Sequence, residues 1–296
     1  MKRVVVTGIG TLSALGSEWP RIEAGLRGRT NTVRRMASWD RYTEMSTRLA
    51  APLDGFEPPA HWNRKQLRGM GRVSQLAVCA AERALTDAGL IGDPLLKSGR
   101  VGVACGSSIG STADISDFAQ MLLTGTSPGL NANSYVRMMP HTTTANVGIF
   151  FGLKGRLIVT STACTSGSQG IGFAYEAVRN GQQTAMLGGG AEELCPSEAI
   201  AFDLLYATSR RNDAPHTTPR PYDRDRDGLV IGEGAGMLIL EELSHAKARG
   251  AMILCEVKGF GSTADAFRIT DIHEDGRGGT AAMRLAIKDA GVSLDS

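Results

Sequence analysis

The sequence predicts an α/β protein built in layers, and three observations carry this. Short apolar runs rich in β-branched residues, clearest at 4–7 (VVVT), 100–104 (RVGVA) and 157–161 (LIVTS), read as buried strands. Between them lie stretches with apolar residues at helical spacing, such as 74–88 (SQLAVCAAERALTDA) and 280–290 (TAAMRLAIKDA). Glycines and hydroxyl residues punctuate the two kinds of segment. Strands alternating with helices argue for sheets covered by helices.

Taken in order, the first strand at 4–7 runs into a turn at Gly8 and Gly10. The helix predicted at 74–88 has Gly89 as its stop. A strand at 100–104 enters a Gly-Ser turn, and a strand at 157–161 leads to Cys164 and a helix at 168–179. The next strand begins at 184–187, a glycine-interrupted buried strand follows at 229–240, and another is read at 253–257. A helix at 280–290 closes the series. No low-complexity segment or linker divides the chain.

Composition fits a globular protein: 42% apolar and 21% charged residues can bury a core and still face water. A net charge of +2 gives no reason to expect nucleic-acid binding. No apolar run reaches the ~18 residues of a membrane span. The opening MKRVVVTGIG reads as a strand and a turn rather than a signal peptide. Five cysteines without framework spacing suit a reducing cytoplasm. No histidine pairs with cysteine or acidic residues at metal-ligand spacing, so no metal site is expected.

Cys164 is the candidate nucleophile. It follows an apolar run and precedes small and polar residues that lead into a helix (LIVTSTACTSGSQGIG). Such a strand-to-helix turn exposes a reactive side chain. The unpaired N–H groups and dipole of a helix N-terminus stabilise a thiolate, the form that attacks acyl groups. Free cysteine is otherwise among the most buried residue types, so Cys79, Cys105, Cys195 and Cys255 are read as core.

Several motifs extend this reading: TACTSG around Cys164, the opening RVVVTGIG, GGGAEE at 188–193, RPYDRDRDGLVIGEGAGMLILEE at 220–242, and GFGSTADAFRIT at 259–270. In this order and spacing the chain resembles the β-ketoacyl-[acyl carrier protein] synthases, most of all the elongating type II enzymes. The resemblance implies a thiolase-like α-β-α-β-α fold made of two similar halves. Residues 1–248 would be the half bearing the nucleophile, and 249–296 the start of the second. VVVTGIG at 4–10 and CEVKGFG at 255–261 would then be equivalent first strands. In the family the second half also carries two histidines, in HGT-type and GH-type motifs, a lysine between them, and a GFGG-type loop. None of these motifs occurs here, so the sequence reads as a synthase lacking much of its second half.

The implied chemistry is a decarboxylative Claisen condensation. Cys164 takes an acyl group from a phosphopantetheine thioester, and malonyl-carrier protein then lengthens it in fatty acid or polyketide-type synthesis. The aryl polyenes are one possible product class. No cofactor is implied, because phosphopantetheine arrives on the carrier protein as substrate. By the same resemblance Phe202 and His141 belong to the acyl pocket or its gate. The polar run Thr142, Thr143, Thr144 and Asn146 would give that pocket an unusual chain. Arg64, Lys65 and Arg68, with Arg72 beside them, fall in the segment that docks an acidic carrier protein. His245, in a polar helical stretch, is expected to be exposed. Arg268 stands where the family loop often has a histidine, and GEGAG at 232–236 where many members have an aspartate. The implied partners are acyl carrier protein and a second ketosynthase, in a homodimer or heterodimer, with neither nucleic acid nor membrane. Alternatives remain open: a non-catalytic dimer partner that shapes chain length, or an inactive truncated product.

Overall fold

A computed structural model describes residues 1–268 and 271–294. Its strands are β1 (Val4–Leu12), β2 (Arg34–Arg35), β3 (Leu49–Ala51), β4 (Val101–Gly106), β5 (Leu157–Val159), β6 (Ala185–Glu192), β7 (Ile231–Gly232), β8 (Gly234–Glu242) and β9 (Cys255–Val257). Its helices are α1 (Trp19–Arg27), α2 (Arg64–Leu67), α3 (Arg72–Asp87), α4 (Thr112–Thr124), α5 (Ala132–Met138), α6 (Thr142–Phe151), α7 (Ser166–Arg179), α8 (Pro196–Leu204), α9 (Leu243–Ala248) and α10 (Arg277–Ala290).

Six strands form one mixed sheet in the order β5-β4-β6-β8-β1-β9. The β4 pairings with β5 and β6 are parallel, and the other three are antiparallel. Helices α3 and α6 cover one face and α7 the other. Coverage on both faces explains why Val4, Val5 and Val6 are all buried, as is the whole of β4. The first core lies under α3, where Leu76 and Leu85 are fully buried. Each such side chain contributes ~1.5–3 kcal/mol. The second core lies under α7, around Tyr175, Val178, Met186 and Leu240.

Glycine sets how closely the helices approach. A Cβ on Gly8 would stand 2.3 Å from the Ala84 carbonyl oxygen, and one on Gly10 would stand 1.9 Å from that of Ala80. The same pattern recurs late in the chain. A Cβ on Gly259 would stand 2.3 Å from the Ala286 oxygen, and one on Gly261 would stand 2.1 Å from that of Ala282. Thus β1 lies under α3 as the segment 258–263 lies under α10. Between the two glycines, Phe260 turns the other way and abuts α7 at Gly172 and Phe173. This alternation is that of a strand. The order is therefore helix, sheet, helix, a single extended segment, helix. Asp289 ties the last layer to α7, accepting from the Tyr175 hydroxyl (3.1 Å), the Phe260 N–H (3.1 Å) and the Arg179 guanidinium.

Several sequence expectations need correction. The strand expected over 4–7 continues to Leu12, through an irregularity in register between Val6 and Gly8, because β8 goes on pairing with it. The strand expected over 229–240 divides into β7, which joins a small sheet with β2 and β3, and β8 in the main sheet. Glu233 stands at the break and accepts from Arg72 (2.5 Å) and from the Leu53 N–H (3.1 Å). Cys255 is exposed rather than core, since β9 is an edge strand. Cys195 is half-buried because it caps α8, with its sulfur 3.0 Å from Ser197 Oγ. Cys79 and Cys105 are buried as expected. The boundary placed at 248/249 falls between α9 and β9, yet β9 pairs with β1 in the first sheet.

Candidate active site

The turn that carries Cys164 is held by hydroxyl groups. Thr160, just past β5, is buried, and its Oγ1 donates to the Ser166 carbonyl (2.9 Å). Ser166 Oγ accepts from the Thr162 N–H (2.9 Å) and donates to the Ala163 carbonyl (2.7 Å). Thr165 Oγ1 donates to the Thr162 carbonyl (3.0 Å). These bonds pin Ala163 at φ +53°, a left-handed conformation that costs a non-glycine residue of order 1–3 kcal/mol. The chain reverses there, and Cys164 emerges exposed two residues before α7. The run of Thr and Ser around this cysteine is thus the scaffold of the turn.

Helix α7 meets the sheet where side chains are missing. A Cβ on Gly170 would stand 2.6 Å from the Ala104 oxygen and 2.7 Å from the Gly189 oxygen. Without one, the start of α7 lies directly on β4 and β6. In front of it opens a cavity of about 740 Å³ lined by Cys164, Ile171, Phe202, Met237 and glycine backbone of β6 and β8.

Two carboxyl side chains also line this cavity, Glu192 and Glu198. Glu192 accepts from Ser107 Oγ (2.7 Å) and the Ser108 N–H (2.5 Å), which fastens the loop after β4. Its neighbour Glu193 points to the other face and accepts from the N–H groups of Thr112 (2.8 Å) and Val73 (3.2 Å). Glu198 sits in the first turn of α8, half-buried, with no hydrogen bond or ion pair to another described residue. Burial first, then the charges of Glu192 and Glu193, push its carboxyl up from 4.5 to about 8. At ~1.4 kcal/mol per pH unit this outweighs the ~0.3–1 kcal/mol by which a helix N-terminus favours a carboxylate. Sequence reasoning missed Glu198. A usable signal existed: it precedes Phe202 by four residues, so the two share a helix face.

The other predicted residues lie as follows. Phe202 is on α8 in the cavity wall. His141 is exposed at the N-terminus of α6 and is not among the residues lining this cavity. Arg64, Lys65 and Arg68 are exposed on and just after α2, and their side chains make no ion pair with described residues. Arg72 does not belong with them, because Glu233 and the Leu53 carbonyl hold it.

The polar run at the start of α6 is turned inward. Thr142 Oγ1 donates to the Met139 carbonyl (2.7 Å) and Thr144 Oγ1 to the Cys105 carbonyl (2.5 Å). Asn146 donates to the Gly69 carbonyl (3.0 Å), whereas Thr143 Oγ1 is buried with no partner among the described residues. None of the four lines this cavity, so they give it no polar wall. His245 is half-buried rather than exposed, because its Nδ1 lies 2.5 Å from Glu241 Oε1. None of the five histidines lines the cavity. Arg268 is exposed and pairs with Asp271 (3.0 Å), while Ile269 and Thr270 of the GFGSTADAFRIT motif lie outside the described residues.

Known proteins share this arrangement. The family model for the N-terminal domain of beta-ketoacyl synthases matches residues 1–246. A 3-oxoacyl-[acyl-carrier-protein] synthase 2 of Vibrio cholerae is 40% identical over 301 residues, which span 99% of this chain and 70% of that protein. One of the same name from Synechocystis is 37% identical over 292 residues, 98% of this chain and 70% of that protein. In structure, a beta-ketoacyl synthase from Burkholderia phymatum matches with a TM-score of 0.96 and 55% identity, covering 100% of this chain and 72% of that one. The ishigamide ketosynthase/chain length factor matches at 0.87 and 31%, covering 99% and 71%. The chain belongs to the beta-ketoacyl synthase family. Its fold is thiolase-like, and its class is that of the acyl-transferring condensing enzymes.

Proposed function

We propose that Cys164 is the acyl-accepting nucleophile of a 3-oxoacyl-[acyl carrier protein] synthase. The observation that carries this is an exposed thiol on a hydroxyl-braced turn, at the head of a helix, opening on a cavity of about 740 Å³. The Cys164 thiolate attacks the thioester carbonyl of an acyl-carrier protein. The bond to the phosphopantetheine sulfur breaks, and that sulfur leaves as a thiolate. The Cys164 backbone N–H supplies one donor to the oxyanion formed on the way; losing one such donor typically costs ~10²–10³ in rate. In the second stage malonyl-carrier protein loses CO₂ and its carbanion attacks the acyl-cysteine, returning the thiolate. That stage needs donors at the enolate oxygen, which the family resemblance assigns to two histidines. No histidine of this chain lines the cavity, so acylation is the step these residues support.

Cys105 provides the contrast. Burial pushes its thiol up to about 11, and it sits in β4 away from solvent, which leaves it inert. Phe202 lines the same cavity as the nucleophile, which supports its reading as a wall of the acyl pocket. The exposed cations Arg64, Lys65 and Arg68 supply a docking patch for an acidic carrier protein. A second ketosynthase chain is the expected partner. The edge strand β5, with Leu157 and Val159 exposed, offers an unpaired sheet edge for it. Among solved relatives, a type II ketosynthase was captured with its acyl-carrier protein, at 29% identity and a TM-score of 0.84, covering 99% of this chain and 71% of that one. No helix among the described residues is long and apolar enough to cross a membrane, and the five cysteines are free, in keeping with a reducing cytoplasm.

Intact-mass measurement after incubation with an acyl-carrier protein tests the reading. One acyl group is expected on the protein and none on Cys164→Ala. An unmodified wild-type chain, shown to be folded by circular dichroism, would overturn it.

A further inference from the structure

Glu198 and Cys164 line the same cavity, and α8 presents Glu198 one turn before Phe202. The cavity wall is otherwise largely apolar side chains and glycine backbone, and its second carboxyl, Glu192, already accepts from Ser107 and Ser108. We infer that Glu198 determines substrate specificity, selecting acyl chains that carry a hydroxyl group over fully saturated chains of the same length. The inference rests on the reading of Cys164 as acyl acceptor.

The chemistry follows from what surrounds the carboxyl. The charges that act on it are the carboxylates of Glu192, which lines the same cavity, and Glu193, which points to the opposite face of β6. With no donor among the described residues to stabilise its charge, and with its carboxyl pushed up to about 8 by burial and like charge, Glu198 is held in the protonated form at neutral pH. A neutral carboxyl offers one O–H donor and one carbonyl acceptor, and a hydroxyl answers both. A negatively charged chain end would be repelled by Glu192 and Glu193. A saturated chain would shed water from Glu198 and leave its polar atoms unanswered, the costlier outcome for a polar group in an apolar wall. One neutral hydrogen bond of this kind corresponds to a preference of about 3–10-fold.

The test compares initial rates of Cys164 acylation, read by intact mass, for octanoyl thioesters and for octanoyl thioesters hydroxylated at each chain position in turn. Wild type is expected to favour at least one hydroxylated chain about 3–10-fold. Glu198→Leu is expected to lose that preference, and Glu198→Gln, which keeps a donor and an acceptor, to retain part of it. Equal rates for all chains in wild type and Glu198→Leu would overturn the inference and mean that water alone serves Glu198. Failure of the folded wild type to accept any chain would instead overturn the role of Cys164, and the inference with it.

Discussion

Replacing Glu198 by glutamine is expected to stabilise the protein at alkaline pH and to change little in acid. Below pH 4.5 the carboxyl is protonated in both folded and unfolded chains, so no penalty exists. As pH rises from 4.5 towards 8, the unfolded chain releases its proton while the folded chain keeps it, and stability falls. Above about 8 the folded protein carries the charge beside Glu192 and Glu193, and the penalty is complete. Undiminished, the interval corresponds to on the order of 4–5 kcal/mol at ~1.4 kcal/mol per pH unit. Glu198 is only half-buried and faces an open cavity, so solvent screening reduces this to roughly 1–3 kcal/mol. Urea unfolding of wild type and Glu198→Gln at pH 5 and pH 9 measures it, because every other titrating group is common to both proteins. A gap that widens from acid to alkali is expected. The same gap at both values, or a less stable variant at pH 9, would refute the account of a carboxyl raised by burial and like charge.

Four further outcomes follow from the same geometry. Glu241, fully buried, accepts from Thr7 (2.8 Å), His245 (2.5 Å) and Arg249 (2.7 Å). Burial pushes its carboxyl up, but these donors prevail and hold it below the usual range. Its contribution is therefore full above pH 4.5 and lost as pH falls through the depressed value. Glu241→Ala leaves Arg249 unpaired and should cost about 3–5 kcal/mol, read as a lowered urea midpoint. Gly10→Ala drives a Cβ into the Ala80 carbonyl and should cost the upper end of about 1–3 kcal/mol of global stability. Gly261→Ala makes the same clash with Ala282, but α10 has no buried residue, so faster hydrogen exchange confined to that helix is expected. Neutralising Arg64, Lys65 and Arg68 together should weaken carrier-protein binding at low salt and flatten its salt dependence. Unchanged affinity at low ionic strength would remove the patch from consideration.

What the sequence determined by itself is local. The strand, the turn and the helix around Cys164 are legible because a β-branched run, hydroxyls and glycine each act on their own backbone. Resemblance carried the family, and with it the layered fold. The likeness of VVVTGIG to CEVKGFG is short as text, yet the structure shows both glycine pairs meeting alanine helices in the same way. Other features depended on partners held on other elements, near or far along the chain, which periodicity does not reveal. The hydroxyls of α6 look like a polar pocket wall until their acceptors on neighbouring elements are seen. His245 looks like a surface residue until Glu241 on β8 reaches it. Arg72 looks like part of a docking patch until Glu233, 161 residues away, claims it. Glu198 gains its character only when β6 brings the charges of Glu192 and Glu193 to bear on α8 at a partly buried, largely apolar wall. Backbone conformation follows from neighbours in sequence, whereas the charge and purpose of a side chain follow from neighbours in space, and only the packed sheet decides those.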